Sequence, residues 1–218
     1  MDKPRLLELF CGTKSVGSVF EKKGYEVISL DYMKKFNPTI CENILTWDYK
    51  KYDPDYFDVV WASPDCTTWS YASRGAYRNS KEIYGKDNKN REKAELGNQM
   101  VLRCIEIMKY FKPRAWFMEN PRGLMKDFPP LIEFENEHNV RRLLVYYGNY
   151  DNWGFPKATH IWSNLPLWED EKKPILDESL WHRDKANHVV YNAYVKTNAK
   201  NRSKIPPTLI ERLYDSIV

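Results

Sequence analysis

Four short apolar runs constrain the fold of this chain most strongly. They are RLLELFC (5–11), YEVISLD (25–31), FDVVWAS (57–63) and RAWFMEN (114–120). Near-continuous apolar character over so few residues predicts strands buried on both faces, and such strands belong to parallel sheets covered by helices. Helical segments alternate with them. Residues 13–24 place Val16, Val19 and Phe20 on one face and stop at Gly24. Residues 94–111 turn Leu96, Met100, Val101, Cys104, Ile105 and Met108 inward. NILTW (43–47) reads as a further buried strand, 141–147 and 160–163 as a late strand pair, and 205–218 as a terminal helix opened by proline. The expectation is an α/β domain with a mostly parallel sheet.

Composition narrows the class. With 218 residues the chain can bury a core without staples, as one domain. Apolar residues make up 42%, mean hydropathy is −0.69, and no run of apolar residues is long enough to span a bilayer. The opening MDKPRLLELF turns polar too soon for a signal peptide, so the expected location is the cytoplasm of a bacterial or infected host cell. Cys11, Cys41, Cys66 and Cys104 form no C-x-x-C pair, which disfavours a zinc ribbon or redox dithiol; no metal is expected. The net charge of +4 is unevenly spread. Residues 74–93 hold seven Lys/Arg against three acids, and 182–204 hold six against one. Either segment could be a solvated loop or a surface for a polyanion.

In an open α/β sheet, ligands bind beyond the carboxyl ends of the strands. Gly12 follows the first strand and lets the backbone turn tightly before a helix N-terminus, although the spacing to Gly17 is not the dinucleotide fingerprint. Asp31, nineteen residues on, suits the hydroxyls of a ribose, or alternatively a turn. Cys66, in ASPDCTTWS, leaves a strand for a polar loop, unlike Cys104 within its helical apolar period. A thiol at such an exit can be a nucleophile, though Asp65 beside it disfavours the thiolate. Glu119 ends another buried strand and reads as an acid–base group or as a turn-stabilising acid.

Taken in order, ELFCGTKSVG, ASPDCTTWS, FMENPRG and YGNYDNWGFPKATHIWSN resemble motifs of the DNA cytosine-5 methyltransferase family: D-L-F-x-G-x-G, P-P-C, E-N-V and the Q-x-R-x-R region. The resemblance covers about residues 5–165 and again 203–217, and is nearest to compact versions often encoded by phages and large viruses. It implies an α/β, Rossmann-like class I methyltransferase fold, a mostly parallel sheet with helices on both faces, using S-adenosylmethionine. Cys66 matches the nucleophile that attacks carbon 6 of cytosine, and Glu119 the acid at ring nitrogen 3. Phe10, Gly12, Thr13, Asp31, Tyr32, Asn43, Ile44 and Pro64 match cofactor-binding positions. Asn120, Arg74, Arg78, Lys157 and Thr159 are the implied contacts to base or DNA. The implied partner is DNA, as a duplex with a flipped cytosine or as a single strand, and a monomer is expected.

The chain departs from the pattern in instructive places. Asp65 replaces the second proline of P-P-C, and the arginines of Q-x-R-x-R are absent, leaving Lys157 or Thr159 to reach the base oxygen. Ile205-Pro206-Pro207 stands where a G-N-[AS]-V motif is usual. The expected organisation is a catalytic domain (1–165), a short basic insert (166–204) in place of a recognition domain, and a C-terminal helix (205–218) packing back. The insert includes Trp168, Trp181, His182, Tyr191 and Tyr194 and leaves room for few base-reading contacts, so sequence specificity is expected to be low or the site short. A catalytically weak relative that only binds nucleic acid, or a methyltransferase of RNA or nucleotide cytosine, stays open on sequence alone. A generic oxidoreductase would leave Cys66 and Glu119 without a role.

Overall fold

A computed structural model describes residues 2–73, 75–151, 153–192 and 203–218. Six strands form one sheet in the order β2-β1-β3-β4-β6-β5: β1 (Arg5–Leu9), β2 (Glu26–Leu30), β3 (Val59–Ala62), β4 (Ala115–Pro121), β5 (Arg141–Tyr146) and β6 (Ala158–Ser163). Pairing is parallel from β2 through β4, while β6 runs antiparallel to both β4 and β5.

The strand alternation builds two cores, because successive side chains leave opposite faces. Leu7, Val60, Ala62, Trp116 and Met118 face α2 (Arg91–Phe111) and α3 (Pro129–Glu137). Leu6, Val59, Trp61, Ala115 and Phe117 face α1 (Ser15–Lys22) and α4 (Pro207–Asp215). Val16, Val19 and Phe20 of α1 are buried there, with Leu209, Ile210 and Leu213 of α4. Helices therefore cover both faces.

Glu8 interrupts the apolar run of β1 and is 2% exposed. Lys14 at the N-cap of α1 offers no side-chain cap. The Glu8 carboxyl instead lies at the first turn of α1, where the Gly17 and Val16 backbone opposes the rise in its pKa that burial causes. Gly17 is required by this approach, since a Cβ there would lie 2.6 Å from Glu8 Oε2.

One element differs from the sequence expectation. Residues 43–47 form a turn, with Leu45 N–H on Asn43 Oδ1 and the N–H groups of Thr46 and Trp47 on Asn43 O. An asparagine that captures the backbone two residues on competes with strand pairing. Residues 67–73 and 75–90 form a loop that folds tightly onto α2 around Arg78.

The basic insert begins by closing the sheet edge. Glu171 N–H donates to Leu144 O, and Leu144 N–H and Tyr146 N–H donate to Asp170 Oδ1 and Glu171 Oε2. These bonds satisfy edge groups of β5 that would otherwise be open to pairing. Arg212 stacks over Trp168 at 3.9 Å. Among the described residues a small hairpin then follows, β7 (Trp181–Arg183) with β8 (Val189–Tyr191). Tyr194 lies outside the described residues. Among the described residues, no helix is long and apolar enough to cross a membrane.

Candidate active site

The parallel strands all present their carboxyl ends at one edge, and two pockets lie there. The first, about 390 Å³, is lined by Phe10, Asp31, Tyr32, Met33, Asn43, Ser63 and Met100, among others. Asp31 is 7% exposed, and its carboxylate accepts Gly12 N–H at 3.0 Å and Met33 N–H at 2.8 Å. A carboxylate has about four acceptor positions, so two remain for a ligand diol. Phe10, in the left-handed region at φ 58°, forms the wall with Met33, Phe36 and Met100. Tyr32 stands exposed at the rim.

Not every expected cofactor residue lines this pocket. Ile44 is buried in the core, where its carbonyl accepts from Arg103. Asn43 lines the pocket, but its Oδ1 is engaged by Leu45 N–H. Gly12 and Thr13 do not line it; Gly12 contributes through its N–H to Asp31. Met33, Phe36, Leu96 and Met100 were not legible as site residues. Leu96 and Met100 belong to α2 yet turn toward ligand space, and Leu96 is 42% exposed.

The second pocket, about 220 Å³, is lined by Ser63, Pro64, Asp65, Cys66, Glu119 and Lys157, among others. Ser63 and Asp65 line both pockets, so the two are contiguous. Pro64 belongs to this side, and its carbonyl accepts Asn120 Nδ2 at 2.9 Å. Asn120 is fully buried in that role, so it holds the Cys66 loop and is not available to substrate. Asp65 Oδ1 accepts Thr67 N–H at 2.6 Å, and this side-chain-capped turn supplies rigidity in place of the missing proline. The carbonyl of Cys66 accepts the N–H groups of Trp69 and Ser70, which closes the same turn.

Electrostatics distinguishes the pocket's groups. Burial pushes the Cys66 thiol up to about 11, helped by Glu119 and Asp65 and opposed by Lys157. Burial also raises Glu119, opposed by Lys157, by the Tyr147 hydroxyl and by Ser63. Burial lowers Lys157. Tyr147 donates its hydroxyl to Glu119 Oε1 at 3.1 Å, is fully buried, and carries the Lys157 ammonium 4.3 Å above its ring. Tyr147 ends an apolar run and opens the run that resembles the Q-x-R-x-R region, but its bond to Glu119 was not legible there.

The expected contacts beyond the pocket divide. Lys157 lines it, whereas Thr159 is fully buried in β6 and does not. Arg74 lies outside the described residues. Arg78 is 1% exposed and makes five hydrogen bonds, to Thr68 O, Thr68 Oγ1, Ile83 O, Ala94 O and Asn98 Oδ1. Its guanidinium stacks on Trp69 at 3.4 Å. It is committed to the interior and cannot meet DNA. Among the described residues no group of three His, Cys, Asp or Glu could hold a metal ion.

Comparison with known proteins agrees with this geometry. The family model for C-5 cytosine-specific DNA methylase matches residues 5–129. A probable DNA (cytosine-5)-methyltransferase of frog virus 3 (isolate Goorha) is 28% identical over 227 residues, covering 97% of this chain and 99% of that protein. Among solved structures, the methyltransferase EhMeth of Entamoeba histolytica matches with a TM-score of 0.54 at 16% identity, over 84% of this chain and 63% of that one. The S. pombe Dnmt2 methyltransferase matches at 0.52 and 13% identity, over 77% and 52%. A putative DNA modification methyltransferase encoded within an E. coli prophage matches at 0.54 and 12%, over 98% and 70%. The chain thus spans between half and two thirds of the first two structures, and at these identities the likeness is one of fold. The family match, extending over more than half of the chain and containing both Cys66 and Glu119, makes the chain a member of the C-5 cytosine-specific DNA methylase family.

Proposed function

We propose that the protein methylates carbon 5 of cytosine in DNA, with S-adenosylmethionine as methyl donor and Cys66 as covalent nucleophile. The observation that carries this reading is the pocket in which Cys66, Glu119 and Lys157 meet, open to the Asp31 pocket through Ser63 and Asp65. Asp31 has acceptor capacity for the ribose hydroxyls, and Phe10, Met33 and Met100 offer an apolar wall for the adenine. When bound there, the cofactor supplies an electrophilic methyl group.

The chain's own residues do the remaining work. Cytosine carbon 5 is a poor nucleophile, so addition of the Cys66 thiolate at carbon 6 divides one hard step into two easier ones. Glu119, whose hold on a proton burial strengthens, donates to ring nitrogen 3 as negative charge develops there. Tyr147 fixes the orientation of that carboxyl. The Lys157 ammonium is the local positive charge, favouring the thiolate and offering a donor to the base oxygen. After methylation, loss of the carbon-5 proton and β-elimination free the thiol. The target base must leave its stack to reach the pocket, at a cost of a few kcal/mol when it is paired.

The described part of the insert supports low or short sequence specificity. Among its described residues, 168–171 serve the β5 edge and α4, and the small β7–β8 hairpin is the paired element that could meet bases. A methyl-transfer assay with tritiated S-adenosylmethionine on DNA and RNA substrates tests the reading. Label at carbon 5 of DNA cytosine is expected; label on RNA alone would replace DNA as substrate. The raised Cys66 thiol favours one competing reading, a binding module without catalysis. Calorimetric binding of S-adenosylhomocysteine without any methyl transfer would favour that module.

A further inference from the structure

A second groove, about 390 Å³, opens beside the catalytic pocket. Its lining includes Arg122, Tyr146, Phe155, Lys157, Lys173 and Tyr191. Lys157 lines both, so the groove continues from the pocket mouth. Its walls are pinned. Arg122 N–H donates to Ala158 O at 2.8 Å, and Gly148 N–H donates to Pro156 O at 3.2 Å. Asn149 Nδ2 donates to the carbonyl of Lys172, next to Lys173, and Tyr191 pairs with Trp181 in the hairpin. Three cations and two tyrosine rings line the groove, and no carboxylate does. The side chains of Arg122 and Lys173 are exposed, with no acidic partner among the described residues.

A phosphate suits the two exposed cations, and a base face suits the rings; neither a peptide nor a small metabolite calls for both beside a cytosine pocket. We infer that this groove holds the nucleotide adjoining the target cytosine on the same strand. Its phosphate lies between Arg122 and Lys173, and its base rests unpaired against Tyr146 and Tyr191. The inference builds on the reading of the Cys66–Glu119 pocket as the cytosine site. It deepens that reading by assigning the substrate's state: a base laid on a tyrosine is not paired, so the enzyme prefers a single or locally opened strand over closed duplex.

Fluorescence anisotropy tests it. Oligonucleotides carrying one 5-fluorocytosine are titrated as single strand and as duplex at several salt concentrations. The proteins are wild type, Arg122→Ala/Lys173→Ala, Arg122→Lys and Tyr191→Ala, and wild type is also assayed for a covalent adduct. Each lost phosphate contact should lower the slope of log affinity against log salt by about 0.7 for a single strand. The double variant should therefore lose about 0.7 to 1.4 in slope, while Arg122→Lys, which keeps the charge, stays near wild type. Tyr191→Ala should keep the slope and lose about tenfold or more of the single-strand preference. Wild type that forms the adduct, beside variants with unaltered slope and preference, overturns the groove alone. Wild type that neither binds DNA nor forms the adduct overturns the methyltransferase reading and this inference with it.

Discussion

Cations from two regions of the molecule take opposite places in the structure. In 67–93, Arg78 leaves the surface altogether, stacks on Trp69 and bonds five acceptors of the loop and α2. Across the pocket mouth, Arg122, Lys173 and the hairpin through Tyr191 keep their polar groups toward solvent. Local net charge therefore says little about where cations act. What decides is whether the neighbouring backbone offers enough acceptors to pair a buried guanidinium. Arg78 gives the 67–93 loop its shape; Arg122 and Lys173 are free to bind.

The sharpest way to break this contrast is to remove Arg78. Arg78→Ala should cost about 3–5 kcal/mol in urea unfolding, because several buried acceptors lose their donor at once. A loss below about 1 kcal/mol would return Arg78 to the surface class. Glu8 extends the test to a buried carboxyl. Its pKa is raised to about 8 by burial, above the ordinary value of 4.5. The folded state thus holds a proton that the unfolded state has released, so its contribution is intact below pH 4.5 and is lost as pH rises toward 8. Relative to Glu8→Gln, the wild type should lose about 3 kcal/mol of stability between about pH 5 and 7.5. Parallel stability–pH curves for the two proteins would contradict that environment.

Smaller effects probe the pocket and the loop's packing. Tyr147→Phe keeps the ring under Lys157 and removes the hydroxyl from Glu119. That hydroxyl lowers the Glu119 pKa, so its loss should move the Glu119 limb of the kcat profile to higher pH and slow turnover by about tenfold. A purely structural role would lower stability and leave the profile in place. Gly97→Ala places a Cβ 2.6 Å from Thr68 Oγ1 and 3.2 Å from an Arg78 nitrogen, and should cost about 1–3 kcal/mol. Arg122→Ala and Lys173→Ala should each change stability by less than about 0.5 kcal/mol, as exposed residues do.

These contrasts also show what was legible beforehand. The strand ends were, because buried parallel strands have a plain apolar signature and their carboxyl ends meet at one edge. Cys66, Glu119 and Asp31 followed from that, whereas Lys157 came only from the resemblance to the Q-x-R-x-R region. Arg78 was not, because its burial depends on acceptors from Thr68, Ile83 and Ala94 that no local pattern announces. Residues 43–47 looked like a strand because the capture of Leu45 N–H by Asn43 is invisible to hydrophobic period. Asn120 was marked only as an implied contact to base or DNA, and Tyr147 only as the start of a motif run; in three dimensions they support Pro64 and Glu119.

The central claim is that Cys66 bonds to cytosine in the pocket it shares with Glu119. The most direct measurement incubates the protein with S-adenosylmethionine and a DNA strand containing 5-fluorocytosine, then maps the cross-linked peptide by mass spectrometry. Fluorine cannot leave as the carbon-5 proton does, so the adduct persists. The account predicts one adduct on Cys66, abolished in Cys66→Ser. No adduct on any substrate, or an adduct that survives in Cys66→Ser, would contradict it.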